Sequence, residues 1–366
     1  MPHHFRLELP ADDAALRARM AADWLQGQIS VSFRREPHYF AGTPIMGETA
    51  QIVVCENEAQ QIVALGSRFT RQAYLNGVPT RTGYLADLRG APEVRRGTLL
   101  ARGFQFLRAL HQADPVSLYT TVILDGNQTA LDALSQPRAG LPQYRPLGRM
   151  LTPALHLDLP CRVPRSRGVQ VRPAGQTDLE RVVAFLQHNH ARRQFAPVWD
   201  QNALTAAGNG RLRIEDFWLA ERNGGLLAVV AAWDQSHWRQ THIEAYSPSL
   251  ARLRPFYNLA ARFLPLKALP ALGSRIPYLV FSAAAVDQDD PEIFSHLLAV
   301  VCNALRRGPW HYAICGLHER DPLATVLADF RRIPAAGLLF VVHYADAVAA
   351  FDALDARVPY LDFGLV

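Results

Sequence analysis

The chain has 366 residues, 49% hydrophobic and 19% charged, with a formal net charge of +5 and a pI near 9.2. That length accommodates two domains, and the apolar fraction excludes bulk disorder. The small positive excess suits an anionic small ligand and does not single out nucleic acid.

Lys267 is the only lysine among 38 basic residues. The four cysteines, Cys55, Cys161, Cys302 and Cys315, form no CxxC pair, so no zinc or redox motif is signalled and no metal is expected. So few cysteines in a long chain fit a reducing compartment, and the first twenty residues have no apolar signal core. We expect a cytoplasmic protein. The most apolar late stretch, "AAGLLFVVHYADAVAAF", is broken by His343 and Asp346 and is too short and polar to span a bilayer.

Along the chain, Phe5–Leu25 reads as a short strand, a turn with Pro10, and a helix for which Asp12 is the expected N-cap. "AQIVVCEN" and "QIVALGSRFTRQAYL" read as a hairpin. "RTGYLADLR" (Arg81–Arg89) is the next strand, followed by a helix starting near Thr98. "SLYTTVIL" is a strand, "GNQTALDALS" a short helix, and "YRPLGRMLTPALHLDL" a closing extended segment. "LPCRVPRSRGV" has prolines and arginines but no apolar period, so 159–168 reads as a linker.

The order then repeats. Val169–Asn189 is again strand, turn and helix, with Thr177 or Asp178 as N-cap. A hairpin turns at Asn223-Gly224-Gly225. Strand "RIPYLVFSAAAV", helix "PEIFSHLLAVVCNALRR", strand "HYAICGL", helix "PLATVLADFRR" and strand "GLLFVVHYA" follow. Ser247–Ser274, with four prolines, reads as an irregular insertion. The expectation is an α/β (α+β) fold of two similar domains, 1–158 and 169–366. Each would be a mixed, mostly antiparallel sheet flanked by helices.

One junction carries chemistry. In "DLRGAPEVRRGTLLARGFQFL" a strand runs through Arg95, Arg96 and Gly97 into an amphipathic helix. The first-turn N–H groups of a helix lack intrahelical partners and carry the positive end of its dipole. Gly97 permits close backbone approach, and the arginines add charge. This is a phosphate cradle at a helix N-terminus, or a solvated basic turn.

The stretch resembles the central motif of the GNAT acyltransferases, whose acetyl-CoA pyrophosphate sits on a [QR]-x-x-G-x-[GA] loop. Pro92, Glu93, Arg95, Arg96 and Gly97 match the common form. Asn127 and Ala130 resemble the family's Asn-x-x-Ala helix. In register on Gly97, however, Val94 and Leu99 hold the loop's end positions and fit neither. Taking Arg95 first shortens the loop by one residue.

The resemblance implies an N-acetyltransferase using acetyl-CoA as co-substrate. Leu88, Arg89, Arg95, Arg96, Gly97, Thr98, Leu99, Leu100, Asn127 and Ala130 would hold the donor. The acceptor would be a small-molecule or peptide amine, with no nucleic-acid or membrane partner, in a monomer or homodimer.

The resemblance also places Asp87 as a base, where many members carry glutamate. Asp87 reads equally as an outward strand residue paired with Arg81 or Arg89. The family often has a tyrosine acid seven residues after the asparagine; here that position is Leu134. Tyr119 and Tyr144 are the substitute phenols, or ordinary packing residues. Backbone N–H groups near Leu88 would polarise the thioester carbonyl.

In the second half, Asp287, Asp289, Asp290 and Glu292 stand where the cradle should be, and acidic groups at a helix N-terminus repel phosphate. We therefore expect a degenerate GNAT-like partner that scaffolds the first half or completes its acceptor pocket. Trp233, Trp238, His242, Glu244 and Tyr246 line that pocket or pack as cross-strand pairs. In some tandem relatives the terminal carboxylate is the base; Val366 takes that place here, or simply ends a docked strand. The alternative to an enzyme is a CoA-binding or interaction protein on the same scaffold.

Overall fold

The structure, a computed structural model, describes residues 3–94, 98–135, 141–208 and 210–366. The Arg95-Arg96-Gly97 turn lies outside the described residues. An eight-stranded sheet runs, edge to edge, through His4–Leu7, Thr49–Glu56, Ile62–Leu75, Val78–Gly90, Tyr119–Leu124, Ala336–His343, Gln143–Leu151 and Leu317–His318. A seven-stranded sheet runs through Gln170–Pro173, Phe217–Arg222, Gly225–Trp233, Tyr278–Val286, Tyr312–Cys315, Ala154–His156 and Arg332–Ile333. Each sheet is antiparallel apart from one parallel step. The architecture is the expected mixed, mostly antiparallel α/β arrangement.

Sheet membership does not follow a division at residue 158. Strand Ala336–His343 inserts between Tyr119–Leu124 and Gln143–Leu151, pairing with both. In return, Ala154–His156 pairs with Tyr312–Cys315 in the other sheet. A third small sheet joins Gln240–Tyr246 to Ile29–Arg34 and Trp24–Leu25, so it too draws on both halves. Alternating hydrophobicity marks a strand but not its partner.

Helices cover both faces of each sheet. Helix Asp13–Ala21 buries Leu16 and Met20 against Ile52, Val54, Phe69 and Tyr84. Helix Leu99–Ala113 covers the opposite face, burying Phe104, Leu107 and His111. In the second sheet Val182 and Leu186 of helix Leu179–His190 pack on Leu219 and Val229. Phe294 and Leu298 of helix Pro291–Leu305 pack on Ala220 and Val230. Truncating one such leucine to alanine costs roughly 2–5 kcal/mol.

The two strand–turn–helix openings are built alike. Arg6 makes a bidentate pair with Asp12 at 2.7 and 2.9 Å, Asp12 also accepts from Leu9 N at 2.7 Å, and Arg6 reaches Glu56. Arg172 makes the same pair with Asp178 at 2.7 Å, Asp178 accepts from Gly175 N at 3.0 Å, and Arg172 reaches Glu221 at 2.8 Å. Asp12 and Asp178 hold the expected N-cap positions, but neither bonds its own helix through the side chain. Each caps the preceding turn, because the arginine holds the carboxylate there.

The expected irregular insertion contains a helix, Pro248–Ala260. Pro248 occupies the first turn, where no N–H is needed, and Ser247 caps it by accepting from Leu250 N. Pro255 lies inside the helix, a position that costs about 3 kcal/mol. "PLATVLADFRR", expected as a helix, forms a 3-10 segment, Pro322–Asp329. Among the described residues no helix is long and apolar enough to cross a membrane, and no cluster of ligand side chains is arranged to hold a metal.

The Arg172–Asp178 clasp makes a pH-dependent prediction. Hydrogen bonds from Arg172 outweigh burial and hold the Asp178 carboxyl below its ordinary range. A depressed folded-state pKa gives stability that is present above the unfolded value, about 3.9, and is lost as pH falls through the folded value. Asp178→Asn should therefore lower stability at pH 7 by about 1–2 kcal/mol, a figure discounted for the half-exposed arginine. Urea titrations should show the deficit shrinking below about pH 4.

Candidate active site

Strands Val78–Gly90 and Tyr119–Leu124 run parallel but pair only at Gly83–Tyr119 and Tyr84–Thr120. Beyond Tyr84 they part. Just past that point the register with the other neighbour skips: Ala86 faces Ser67 and Arg89 faces Leu65, so Asp87 and Leu88 bulge opposite Gly66. Asp87 takes φ +53°, a left-handed conformation for which aspartate is among the better non-glycine residues. Such a bulge turns backbone groups toward the opening.

The second sheet repeats the device. Tyr278–Phe281 pairs in parallel with Tyr312–Cys315 and then departs. Ala283 and Ala284 bulge opposite Val230, and Ala283 has φ +49°. Here the chain itself supplies acceptors. Ala283 N donates to the Asp362 carboxylate at 2.7 Å, and Ala284 N to the Tyr360 hydroxyl at 3.0 Å. Among the described residues no side chain takes the equivalent places at Asp87 and Leu88.

Asp362 and the residues after it run on to the first bulge. There Arg35 and Arg239 act on Asp87, while Arg71 lies over the Tyr84 ring. Arg35 lies 3.3 Å from the Asp87 carboxylate, with the Tyr39 hydroxyl at 3.4 Å and Ser67 Oγ at 3.5 Å. These are long contacts for a charged acceptor, so the carboxylate is surrounded without being saturated. Arg71 donates to Leu365 O at 2.6 Å, and Arg239 donates to Phe363 O at 3.1 Å and to Val366 O. Trp238 is stacked by both Arg35 and Arg239.

Burial raises the Asp87 carboxyl, but the charges of Arg35, Arg89 and Arg239 outweigh it and hold the group below its ordinary value. Burial pulls Arg71 down to about 10, and burial together with Arg35 pulls Arg239 down to about 10. Arg71 and Arg239 are thus desolvated cations near the bulge that carries Asp87.

No protein-family profile and no curated sequence matches the chain. Its structure is similar to that of Saccharomyces cerevisiae N-myristoyltransferase with bound myristoyl-CoA. The identity is 10% and the TM-score 0.61, over 94% of this chain and 85% of that one. It is similar to a GCN5-related N-acetyltransferase from Sphaerobacter thermophilus at 13% identity and TM-score 0.56, over 100% and 98% of the two chains. A probable N-acyltransferase from Enterococcus faecalis aligns at 9% identity and TM-score 0.51, over 93% and 72%. The chain has the GNAT fold.

On that GNAT framework the residues singled out from sequence separate. Asp87 shares a face with Tyr84, Phe69 and Tyr39, under helix Asp13–Ala21. Tyr119 and Tyr144 lie on the opposite face, under helix Leu99–Ala113. The Tyr119 hydroxyl accepts from Arg68 Nε at 2.9 Å and meets His111 Nδ1 at 2.9 Å. Tyr144 packs between Phe104 and Phe340. Burial raises both phenols. The structure does not bring them to Asp87.

Of the expected donor-binding residues, Leu88 is exposed on the bulge, and Arg89 makes a long contact to Leu88 O at 3.5 Å. Thr98 precedes the helix at its expected start, and Leu99 packs beside Val63 and Ala91 while Leu100 is half-buried. Asn127 caps helix Gln128–Leu134 by accepting from Ala130 N at 3.2 Å. Trp233 and Trp238 are core residues, while Glu244 pairs across strands with Ser32 and Arg34. Asp290 caps helix Pro291–Leu305, whereas Asp289 binds Arg192 and Arg193.

Sequence reasoning did not find Arg35, Arg71 or Arg239. They stand alone in separate segments, with no motif to join them. The placement of Tyr119 generates a test. Tyr119→Phe removes the oxygen that satisfies the buried Arg68 Nε and should cost about 1–3 kcal/mol of stability. Turnover per folded molecule should be unchanged, as thermal denaturation and an acyl-transfer assay would show.

Proposed function

We propose that the protein is an acyl-CoA-dependent N-acyltransferase. Residues 1–158 carry the donor site and 169–366 form a degenerate companion in a tandem arrangement. Acetyl-CoA is the donor of first choice, and the acceptor is an amine on a small molecule or peptide. One observation carries this reading. The same bulge occurs twice, and where the chain fills it, at Ala283 and Ala284, its N–H groups hold a carboxylate and a phenol oxygen. At Asp87 and Leu88 no side chain does so among the described residues, and a thioester carbonyl oxygen is the corresponding guest.

In the first half, the Leu88 N–H would polarise that carbonyl. The amine lone pair attacks the carbonyl carbon, the C–N bond forms, the C–S bond breaks and CoA leaves as thiolate. A free thiol titrates near 8.5, so departure near neutral pH does not demand a strong acid. Asp87 attracts and orients a cationic acceptor and takes up its proton, directly or through water. Held below its ordinary pKa, it is a weak base, so its charge is its larger contribution. The Arg95-Arg96-Gly97 turn would hold the pyrophosphate.

The enclosure of Asp87 by Arg35, Tyr39 and Ser67 favours a second reading, a CoA-binding protein without turnover. Calorimetry with acetyl-CoA and longer acyl-CoAs separates the cases. Wild type should bind, and Arg95→Glu with Gly97→Glu should not. Binding with no turnover on an amine panel would support the second reading; no binding of any acyl-CoA would defeat both.

If the enzyme reading holds, Asp87→Asn should lower kcat/KM by about 10²-fold. Because Asp87 is depressed, it is ionised throughout the neutral range. The rise of rate between pH 6 and 9 should therefore follow the acceptor amine and persist in the variant. A wild-type inflection in that range that Asp87→Asn abolishes would remove Asp87 from this role.

A further inference from the structure

Helix Pro248–Ala260 is built inside out. Its polar side faces the protein. Asn258 exchanges two hydrogen bonds with Leu269, at 2.8 and 3.0 Å, and Arg254 stacks on Tyr246, whose hydroxyl donates to Pro270 O at 2.8 Å. The returning segment pairs with strand Gln240–Tyr246 through Gly273 N and Ile276 N. Helix and return loop thus form a pinned flap, and no residue of the helix is buried.

Its apolar side faces out. Leu253, Phe256 and Leu259 follow at three-residue spacing on the helix, and Phe263 and Leu264 continue the run in the turn after it, with Leu272 on the returning segment. Phe256 is 72% exposed and Phe263 82%. Six of the fourteen exposed large apolar side chains among the described residues fall in this one stretch. Scattered exposed leucines are ordinary, but a contiguous stripe on an outward helix marks a contact surface.

Charge identifies the partner. From Ala245 to Val286 there is no aspartate or glutamate, while Arg252, Arg254, Arg262, Lys267 and Arg275 are all basic. Arg252, Arg262 and Arg275 are exposed and have no carboxylate partner among the described residues. An outward phenylalanine and leucine stripe rimmed by arginine is the pattern that seats a helix in the headgroup layer of an anionic bilayer. We infer that the flap 248–272 docks the protein peripherally on an anionic phospholipid surface. This is attachment to a leaflet, with no segment crossing it, and it does not depend on the acyl-CoA reading.

The test is co-sedimentation of the full chain with vesicles of phosphatidylcholine alone and of phosphatidylcholine mixed with phosphatidylglycerol. Wild type should partition at least tenfold more strongly into the anionic vesicles, with binding weakening as salt rises. Phe256→Ser with Phe263→Ser should lose that binding by tenfold or more while circular dichroism and acyl-CoA affinity stay unchanged. Arg252→Glu with Arg262→Glu should remove the preference for anionic lipid. Equal or negligible wild-type binding to both vesicles would overturn the inference, as would wild-type-like binding by the serine variant. A wild-type dimer that the serine substitutions convert to monomer would assign the stripe to a second copy instead and equally overturn it.

Discussion

The Asp362 carboxylate is 2% exposed and accepts from Ser282 Oγ, Ala283 N and Gly364 N at 2.7, 2.7 and 2.9 Å. Burying a carboxylate is costly unless its lone pairs are satisfied, and here three donors converge on it. That requirement fixes the chain's last segment in the second splay. Gly364 must stay a glycine because a Cβ there would meet the Trp233 ring at 2.7 Å. With Asp362 seated, the oxygens of Phe363, Leu365 and Val366 fall within reach of Arg239 and Arg71. The last segment is therefore a strut between two bulges: it fills one and furnishes the floor beside the other.

The exchanged strands make this strut possible. Ala336–His343 lies in the middle of the first sheet, so the segment after it starts from that sheet and returns across the seam to the second. Residues 1–158 alone would leave Tyr119–Leu124 and Gln143–Leu151 without their common neighbour. The halves thus share hydrogen-bond ladders as well as an interface.

Local features were legible in the sequence where short-range chemistry decides them. The hairpin at Asn223-Gly224, the helix after Thr98 and the two matching strand–turn–helix openings all rest on neighbouring residues. Strand Ala336–His343 was legible as a strand, but the sheet it enters is set by partners far away in sequence, at Tyr119–Leu124 and Gln143–Leu151. Proline density hid helix Pro248–Ala260, because a proline at the first turn and another in the interior read the same without a known start. Tyr119 was ambiguous for a similar reason. One residue of alternation decides between the two faces of a sheet, and the bulge at Asp87 shifts that alternation.

The acidic run in the second half bears on why one splay is filled and the other is not. Asp290 satisfies the first turn of helix Pro291–Leu305, and Asp289 is drawn aside by Arg192 and Arg193. Phosphate is disfavoured there by charge. Once a splay cannot hold an anionic cofactor, its bulged N–H groups still need acceptors, since orphaned buried amides are costly. Asp362 and Tyr360 meet that need from within the chain. In the first half the corresponding turn is basic by sequence, and Arg35, Arg89 and Arg239 hold Asp87 ionised on the bulge. Buried arginines beside the bulge at Asp87 and Leu88 favour an oxygen gaining negative charge.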